Sequence, residues 1–261
     1  AAGMACRKED FADKPQGAVP RPLRKSDPGC AITLEQLSSS LSKPDTVMID
    51  TRAKAAFDTS HIDGAVNFSS TELRTKRYLA DKRVVLLGDG KRDQDLYELC
   101  SELKAAGFKQ TRVLRGGMLA WLLDNKPVVG AASNFADLSS LNPGELFQES
   151  KMADSVLIGL PSMRHLADVL PMMQSVSAGS PAAVREFIQK RKKAKSLQTI
   201  IVVADERFDR SEIAKLAALA KPEPLLLYAD SEGAYRQFLR VQNAMWAKQA
   251  KGPTKPRCGG L

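Results

Sequence analysis

Residues 84–95 limit most strongly what this chain can fold into. Their sequence, VVLLGDGKRDQD, opens with four apolar residues, which predict a fully buried strand of a parallel sheet. A glycine-containing loop follows, and a helix is expected to begin near Gln94. In α/β folds such a turn often carries chemistry, because the first N–H groups of the helix are unpaired and point into the loop.

Composition places the chain among globular proteins and leaves room for one large or two ordinary domains. It has 261 residues, of which 43% are apolar and 26% charged. No apolar run approaches the roughly 18 residues that a membrane span requires. The formal charge of +9 is concentrated partly in residues 190–195 (KRKKAK) and partly near the C-terminus. A solvated helix end and tail account for this charge, and the alternative is a patch for nucleic acid, anionic lipid or an acidic partner. No aromatic residues lie between these charges, which argues against nucleic acid.

The four cysteines divide into two kinds. Cys6, Cys30 and Cys258 lie in segments rich in proline, glycine and charge, where exposed thiols are useful as staples in an oxidising compartment. We expect Cys258 to pair with Cys6 or Cys30. Cys100 lies inside a helical pattern and is expected to be a small core residue. The sequence begins Ala-Ala-Gly, which resembles a signal-peptidase product, although a trimmed sequence would look the same. A periplasmic or secreted location is the expectation.

Strands and helices alternate over residues 31–130, after a proline-rich N-terminal strap that covers residues 1–30. Thr33 fits a helix N-cap with Gln36 three residues on, and Gly107 fits the C′ position of the helix that follows the opening loop. This alternation predicts an α/β fold with a parallel sheet covered by helices on both faces.

Several separate motifs in this region resemble those of the rhodanese domain, in the same order. They are Asp50-Thr-Arg52, His61-Ile-Asp-Gly-Ala-Val-Asn67, Gly107-Phe108 and Leu114-Arg-Gly-Gly-Met-Leu-Ala-Trp121. The resemblance spans about 100 residues and implies the rhodanese fold for residues 31–130. It also implies packing and turn-forming roles for His61 and a structural role for the Asp50–Arg52 pair.

The pattern restarts after a linker expected at residues 131–140. Leu141-Asn-Pro-Gly-Glu-Leu, Val156-Leu-Ile-Gly-Leu-Pro and Ile200-Ile-Val-Val-Ala-Asp repeat the order of the first half at offsets of 109 to 116 residues. Residues 141–248 are therefore predicted to be a degenerate second rhodanese-like domain, in which Gly159 and Pro161 replace the Asp–Arg pair. A basic tail, residues 249–261, follows. The predicted fold is α/β, with two tandem rhodanese-like domains, each a mostly parallel sheet flanked by helices.

The resemblance implies sulfur transfer through a persulfide on a loop cysteine that directly follows the buried strand. Glycine stands at that place here, and the remaining loop lacks a nucleophile suited to sulfur. The loop comprises Gly88, Asp89, Gly90, Lys91, Arg92 and Asp93. The corresponding residue of the second half is Ala204. We therefore predict no catalytic residue and treat the loop as a degenerate binding loop. Lys91 and Arg92 would attract an anion or a partner carboxylate weakly, opposed by Asp89 and Asp93.

Other enzyme classes find less support in the sequence. The two histidines, His61 and His165, lack metal-ligand spacing, no phosphate-binding loop motif is present, and no cofactor is predicted. The predicted function is a catalytically inactive protein-binding or scaffolding module of the cell envelope, with another protein as partner. The alternative is a sulfurtransferase or thiol relay that uses Cys258 or Cys100. Aromatic residues on the helix predicted at residues 232–248 form either a packing face or a stripe for a partner.

Overall fold

A computed structural model describes residues 26–131, 133–191 and 197–251 of the chain. Cys6 and Cys258 lie outside the described residues, as do most of the N-terminal strap, residues 192–195 of the KRKKAK run and tail residues 252–261. Within the described ranges, no helix is both long and apolar enough to cross a bilayer.

The first half alternates strands and helices as the sequence predicts. Its elements are β1 (Ala31–Ile32), α1 (Leu34–Ser40), β2 (Thr46–Asp50), α2 (Lys54–Thr59), β3 (Ser60–His61), β4 (Val66–Asn67), α3 (Ser70–Thr75), β5 (Arg83–Leu87), α4 (Asp93–Ala105), β6 (Thr111–Leu114), α5 (Gly117–Leu123) and β7 (Val129–Gly130). The predicted caps are confirmed. Thr33 and Gln36 form a reciprocal capping box at α1, and Gly107, with φ of +102°, ends α4.

Five strands of this half form one parallel sheet in the order β1-β6-β5-β2-β4. β5 lies at its centre, and its residues alternate between two cores. Val84 and Leu86 pack with α3 and α4 on one face, whereas Val85 and Leu87 pack with α1 and α5 on the other. Because both faces are covered, the strand is apolar along nearly its whole length. The β5–α4 loop therefore leaves the sheet at the carboxyl edge of its central strand.

The second half repeats the alternation. Its elements are α6 (Phe135–Leu138), α7 (Pro143–Ser150), β8 (Ser155–Gly159), β9 (Gln174–Ser175), α8 (Pro181–Arg191), β10 (Thr199–Ala204), α9 (Ile213–Ala220), β11 (Leu225–Ala229) and α10 (Glu232–Ala250). Its parallel sheet has the order β11-β10-β8-β9, with α8 and α9 on one face and α7 and α10 on the other. The predicted α/β class, with parallel sheets flanked by helices, is confirmed for both halves.

The two sheets share one strand order. β11-β10-β8-β9 corresponds to β6-β5-β2-β4 when each sheet is numbered along its own half. The outermost position also corresponds, since Ser140 forms a parallel bridge to Leu227 of β11, just as β1 pairs with β6. The stretch expected to be a linker thus contains α6 and a residue that extends the second sheet.

The structure corrects the expected disulfide pairing. Cys30 is bonded to Cys100, 70 residues away, and both side chains are fully buried. Cys30 therefore does not pair with Cys258, and Cys100 is a bridge partner as well as a core residue. The cause lies in the topology: Cys30 immediately precedes β1, which pairs with β6, and α4 packs across β6. The disulfide fastens the chain at the outer edge of the sheet to α4.

Because Cys30 and Cys100 form one covalent bond, replacing them should give strongly non-additive losses of stability. We expect Cys30→Ala and Cys100→Ala each to lower the free energy of unfolding by about 2–4 kcal/mol. The double variant should lose little more than either single variant. Urea unfolding of the four proteins without reductant measures the cycle. Additive losses would show that the two sulfurs are not bonded.

Candidate functional site

The β5–α4 loop, residues 88–92, is pressed against the turn that precedes α5. The backbone oxygen of Gly88 accepts a hydrogen bond of 2.9 Å from the Met118 N–H. A Cβ atom on Gly117 would lie 2.3 Å from that same oxygen, and one on Gly90 would lie 2.5 Å from the Gly116 oxygen. Glycine is therefore required on both sides of the contact. The Gly-Gly turn explains how the loop lies so close to the body of the domain.

The side chains of Asp89 and Lys91 in the loop form hydrogen bonds or ion pairs with other residues. Asp89 accepts a hydrogen bond of 2.8 Å from the Lys91 N–H and so closes its own loop. The Lys91 ammonium group contacts Glu145 Oε2 at 2.7 Å and the Ser140 backbone oxygen at 2.9 Å, both in the second half. Lys91 thus bridges the loop of the first half to the start of α7.

A second carboxylate from α7 reaches the loop backbone. Arg92 has a left-handed backbone, with φ of +56°, and its N–H donates a hydrogen bond of 2.6 Å to Glu149 Oε1. Glu149 is 2% exposed. A carboxylate of this chain therefore occupies the start of α4, where an external anion would otherwise bind. Any sulfate or partner carboxylate would have to compete with Glu149 and Glu145 for these groups.

Asp93 faces the opposite side of the same turn. Its Oδ2 accepts a hydrogen bond of 2.8 Å from the Gly116 N–H, and the side chain is buried. Burial raises the pKa of Asp93 to about 7, although the Gly116 N–H opposes the rise. Burial likewise raises the pKa of Glu149 to about 7, against the hydrogen bond from Arg92 and with repulsion from Asp93 and Asp89. The loop is held between two carboxyl groups that favour the protonated form.

A small polar cavity lies between the two halves, beside these carboxyl groups. It leaves about 10 Å³, room for about one water molecule. Five buried polar atoms around it have no hydrogen-bond partner within the described part of the chain. They are Asp93 Oδ1, Tyr97 Oη, Arg115 Nε, Arg115 Nη2 and Gln198 Oε1. The set mixes donors and acceptors, so one water molecule could bond to several of them. Their chemistry suits a hydrated interface between the halves.

The remaining motif residues of the first half serve the architecture. Asp50 is buried and pairs with Arg52, whose Nη2 lies 2.8 Å from Asp50 Oδ2 and 2.6 Å from the Ser60 backbone oxygen. His61 stacks on Phe57, with ring centroids 3.9 Å apart, and its Nδ1 lies 2.8 Å from the Phe57 oxygen. These residues hold the segment that connects β2 to β4. They lie in a structural network rather than in an acid–base pair.

The corresponding loop of the second half also lacks a nucleophile. Ala204 ends β10 and is fully buried. The guanidinium group of Arg207 lies 2.7 Å from Asp205 Oδ2, and this hydrogen-bonded pair lowers the pKa of Asp205 to about 2. Asp205 also accepts a hydrogen bond from the Arg207 N–H. The Asp205–Arg207 ion pair closes the loop locally, and Arg210 bonds to Ser140 and to the Ala229 backbone oxygen.

Two further observations concern free thiols and metal ligands. Cys100 is bonded to Cys30 and buried, so it offers no free thiol in this structure. Among the residues that the structure describes, no cluster of histidine, cysteine, aspartate or glutamate has the composition of a metal site. The sequence pointed to the loop but not to Glu145 or Glu149. No local signal marks a glutamate of one half as a partner for the loop of the other.

Comparisons with known proteins agree with the motifs of the first half. Residues 33–124 match the sequence model of the rhodanese-like domain. Over 104 residues the chain is 31% identical to the uncharacterized protein YibN of Escherichia coli strain K12. That alignment covers 38% of this chain and 71% of YibN. The chain belongs to the rhodanese-like family. The matched span contains the β5–α4 loop, so this rhodanese-like domain carries Gly88 immediately after its central strand.

Several solved structures are similar to parts of the chain. The Alr3790 protein from Anabaena sp. is 24% identical, with 38% of this chain and 82% of that chain covered and a TM-score of 0.35. A thiosulfate sulfurtransferase from Pseudomonas aeruginosa is 16% identical, with 80% of this chain and 42% of that chain covered and a TM-score of 0.35. Human single-domain sulfurtransferase TSTD1 is 16% identical, with 36% and 95% covered and a TM-score of 0.30. At these scores the likenesses carry no argument about activity.

The raised pKa values make the interface between the halves sensitive to pH. Because the folded pKa of Asp93 lies above its unfolded value near 4, its stabilising protonated form is lost as pH rises from about 4 through about 7. Asp93→Asn keeps an acceptor for the Gly116 N–H and carries no charge. We expect it to raise the free energy of unfolding by about 1–3 kcal/mol at pH 8 and to change little at pH 4.

Chemical unfolding of wild type and variant at several pH values measures this difference. Asp95→Asn is the matched control, since Asp95 lies on the same helix but is partly exposed and pairs with Arg92. Identical pH profiles for Asp93→Asn and wild type would contradict a raised pKa of the buried Asp93 carboxyl group.

Proposed function

We propose that this chain is a catalytically inactive tandem rhodanese-like protein of the cell envelope that acts by binding another protein. The observation that carries the proposal is that the β5–α4 loop has no cysteine and already bonds an internal carboxyl group. Gly88 stands where the family places its nucleophile, and Glu149 occupies the Arg92 N–H at the start of α4. The loop therefore lacks the thiol, and an internal carboxylate takes the place of an anionic sulfur group.

Electrostatics add to the loss of the thiol. A persulfide needs a thiolate, which nearby cations and unpaired N–H groups stabilise. Here Lys91 is neutralised by Glu145, and the buried Asp93 and Glu149 flank the loop. In their ionised forms, which become populated as pH rises through about 7, these carboxyl groups would raise the pKa of any thiol placed in the loop. The environment would therefore oppose sulfur transfer even if a cysteine were present.

The tandem arrangement is supported by topology. The shared order of four strands supports a common plan for the two sheets, and the isolated Ser140–Leu227 bridge lies at the position that β1 has in the first sheet. We infer that residues 141–248 descend from a second rhodanese-like copy. Residues 31–130 and 141–248 are the proposed domains, with 131–140 as the connection. Ala204 at the end of β10 would then mark a second lost catalytic position.

An envelope location is supported by the Cys30–Cys100 disulfide. Structural disulfides persist mainly in secreted, periplasmic and other oxidising settings. The protein partner would be a component of the same compartment. Two surfaces are proposed to contact this partner. One is the basic run at residues 190–195, and the other is a groove of about 470 Å³ between the loop, α7 and α10.

Inactivity is tested by sulfur transfer from thiosulfate to cyanide, with an active rhodanese as the positive control. We expect no turnover, and intact-mass analysis after thiosulfate treatment should show no added sulfur. Gly88→Cys should also stay inactive, because Glu149 continues to occupy the loop N–H. A Cβ at this position would lie 3.3 Å from the Leu96 side chain, so the variant needs only a small adjustment to fold. Turnover by the wild-type chain, or a persulfide mapped to Cys258, would instead support the sulfur-relay alternative.

Binding is tested by affinity capture from envelope extract with the full chain. We expect a captured protein to bind the purified chain with a fixed stoichiometry, and charge reversal at residues 190–195 to weaken it if the basic run takes part. Reversal of the exposed Lys109, on the first half, is the matched control. A chain that captures nothing reproducibly and also lacks sulfur transfer would contradict the binding proposal.

A further inference from the structure

Helix α10 extends beyond the body of the second half. Near its start Tyr235 is buried and packs edge-on against Tyr228, and Phe238 and Leu239 are partly buried. From residue 243 to residue 250 every residue is exposed. Roughly the last two turns of a 19-residue helix are therefore in contact with solvent on most sides.

Exposed apolar side chains lie on the outer face of this helix. Val241 is 50% exposed and Met245 is 53% exposed. At about 100° per residue, Val241, Met245 and Lys248 fall within an arc of about 60°. Tyr235 and Leu239, which pack on the domain, project from the other side. The outer face can thus lie against a flat surface without displacing the helix from the protein.

The charge of this helix has one sign. Residues 233–251 contain no aspartate or glutamate, and they include Arg236, Arg240, Lys248 and Lys251. Arg236 is bound to Glu232 and Asp168. Within the described residues, Arg240 contacts only the neutral Gln237 amide, and Lys248 and Lys251 form no ion pair. Three cations therefore flank the exposed apolar pair.

We propose that the outer face of α10 docks on the surface of bilayers that contain anionic phospholipid. A helix with apolar anchors and basic flanks lies in the headgroup region, where each lysine or arginine near an anionic surface adds attraction. Lysine stems can lie along the acyl boundary while their ammonium groups reach the phosphates. The proposal is independent of the protein-binding function proposed above.

Other occupants fit this face less well. A second copy of the chain would bring two helices of the same positive charge together. A stable protein–protein interface buries about 800 Å² on each partner and takes about 20–30 residues a side, more than this helix end offers. A bilayer needs no preformed groove, since lipid adapts to a convex helix.

The test is sedimentation of the full chain with phosphatidylcholine vesicles, with and without about one-third phosphatidylglycerol. We expect binding only to the anionic vesicles, and a steep loss of binding as salt rises because the attraction is screened. Met245→Glu should lower the partition coefficient on the order of tenfold or more, and Lys248→Gln about fivefold. Tyr78→Glu is the matched control, because Tyr78 is also an exposed large apolar residue but lies on the first half.

Fluorescence and circular dichroism show whether the variants keep α10 in place. Trp246 packs against Phe147, with ring centroids 5.8 Å apart, so its share of the emission, measured in a Trp121→Phe background, reports the attachment of the helix. Equal binding to neutral and anionic vesicles, no binding to either, or full binding by a folded Met245→Glu variant would overturn the proposal. Binding to an acidic protein without binding to vesicles would overturn it in favour of a protein partner.

Discussion

The contact between Glu149 and the Arg92 N–H is the interaction on which the relation between the two halves depends. It places a buried carboxyl group at the start of α4, directly above the loop that leaves the central strand β5. Asp93 holds the other side of the turn to Gly116. Because Lys91 also bonds to Glu145, the loop is bonded on one side to its own half and on the other side to α7 of the second half.

These contacts determine which groups of the loop are available to a ligand. An active persulfide loop depends on unpaired N–H groups and a local excess of positive charge, because the reacting sulfur is an anion. Here the Arg92 N–H is bonded to Glu149 within the chain, and the Lys91 ammonium group is paired with Glu145. In this chain the start of α4 is part of a contact between two α/β units.

The sequence allowed the local features of the fold to be predicted, because they depend on neighbours along the chain. The apolar run of β5, the Thr33 cap and the terminating Gly107 are all read from residues a few positions apart. The Cys30–Cys100 bond was missed because it depends on β1 pairing with β6, which brings distant segments together. Glu149 was missed for the same reason, since its role exists only once the second half has docked. The loop was recognised, but the carboxylate that occupies it could not be.

Ser140 makes contacts with both halves at the point where they are connected. Its backbone forms a parallel bridge to Leu227 in the second sheet. Its carbonyl oxygen accepts a hydrogen bond from the Lys91 ammonium group of the first half, and its hydroxyl oxygen accepts one from Arg210. Two units joined by a loose connection could swing about a hinge and close on a ligand. Two of the Ser140 contacts lie within the second half, and the Lys91 contact crosses to the first half. A hinge motion at this joint would therefore have to break the Lys91–Ser140 hydrogen bond together with the Lys91–Glu145 ion pair.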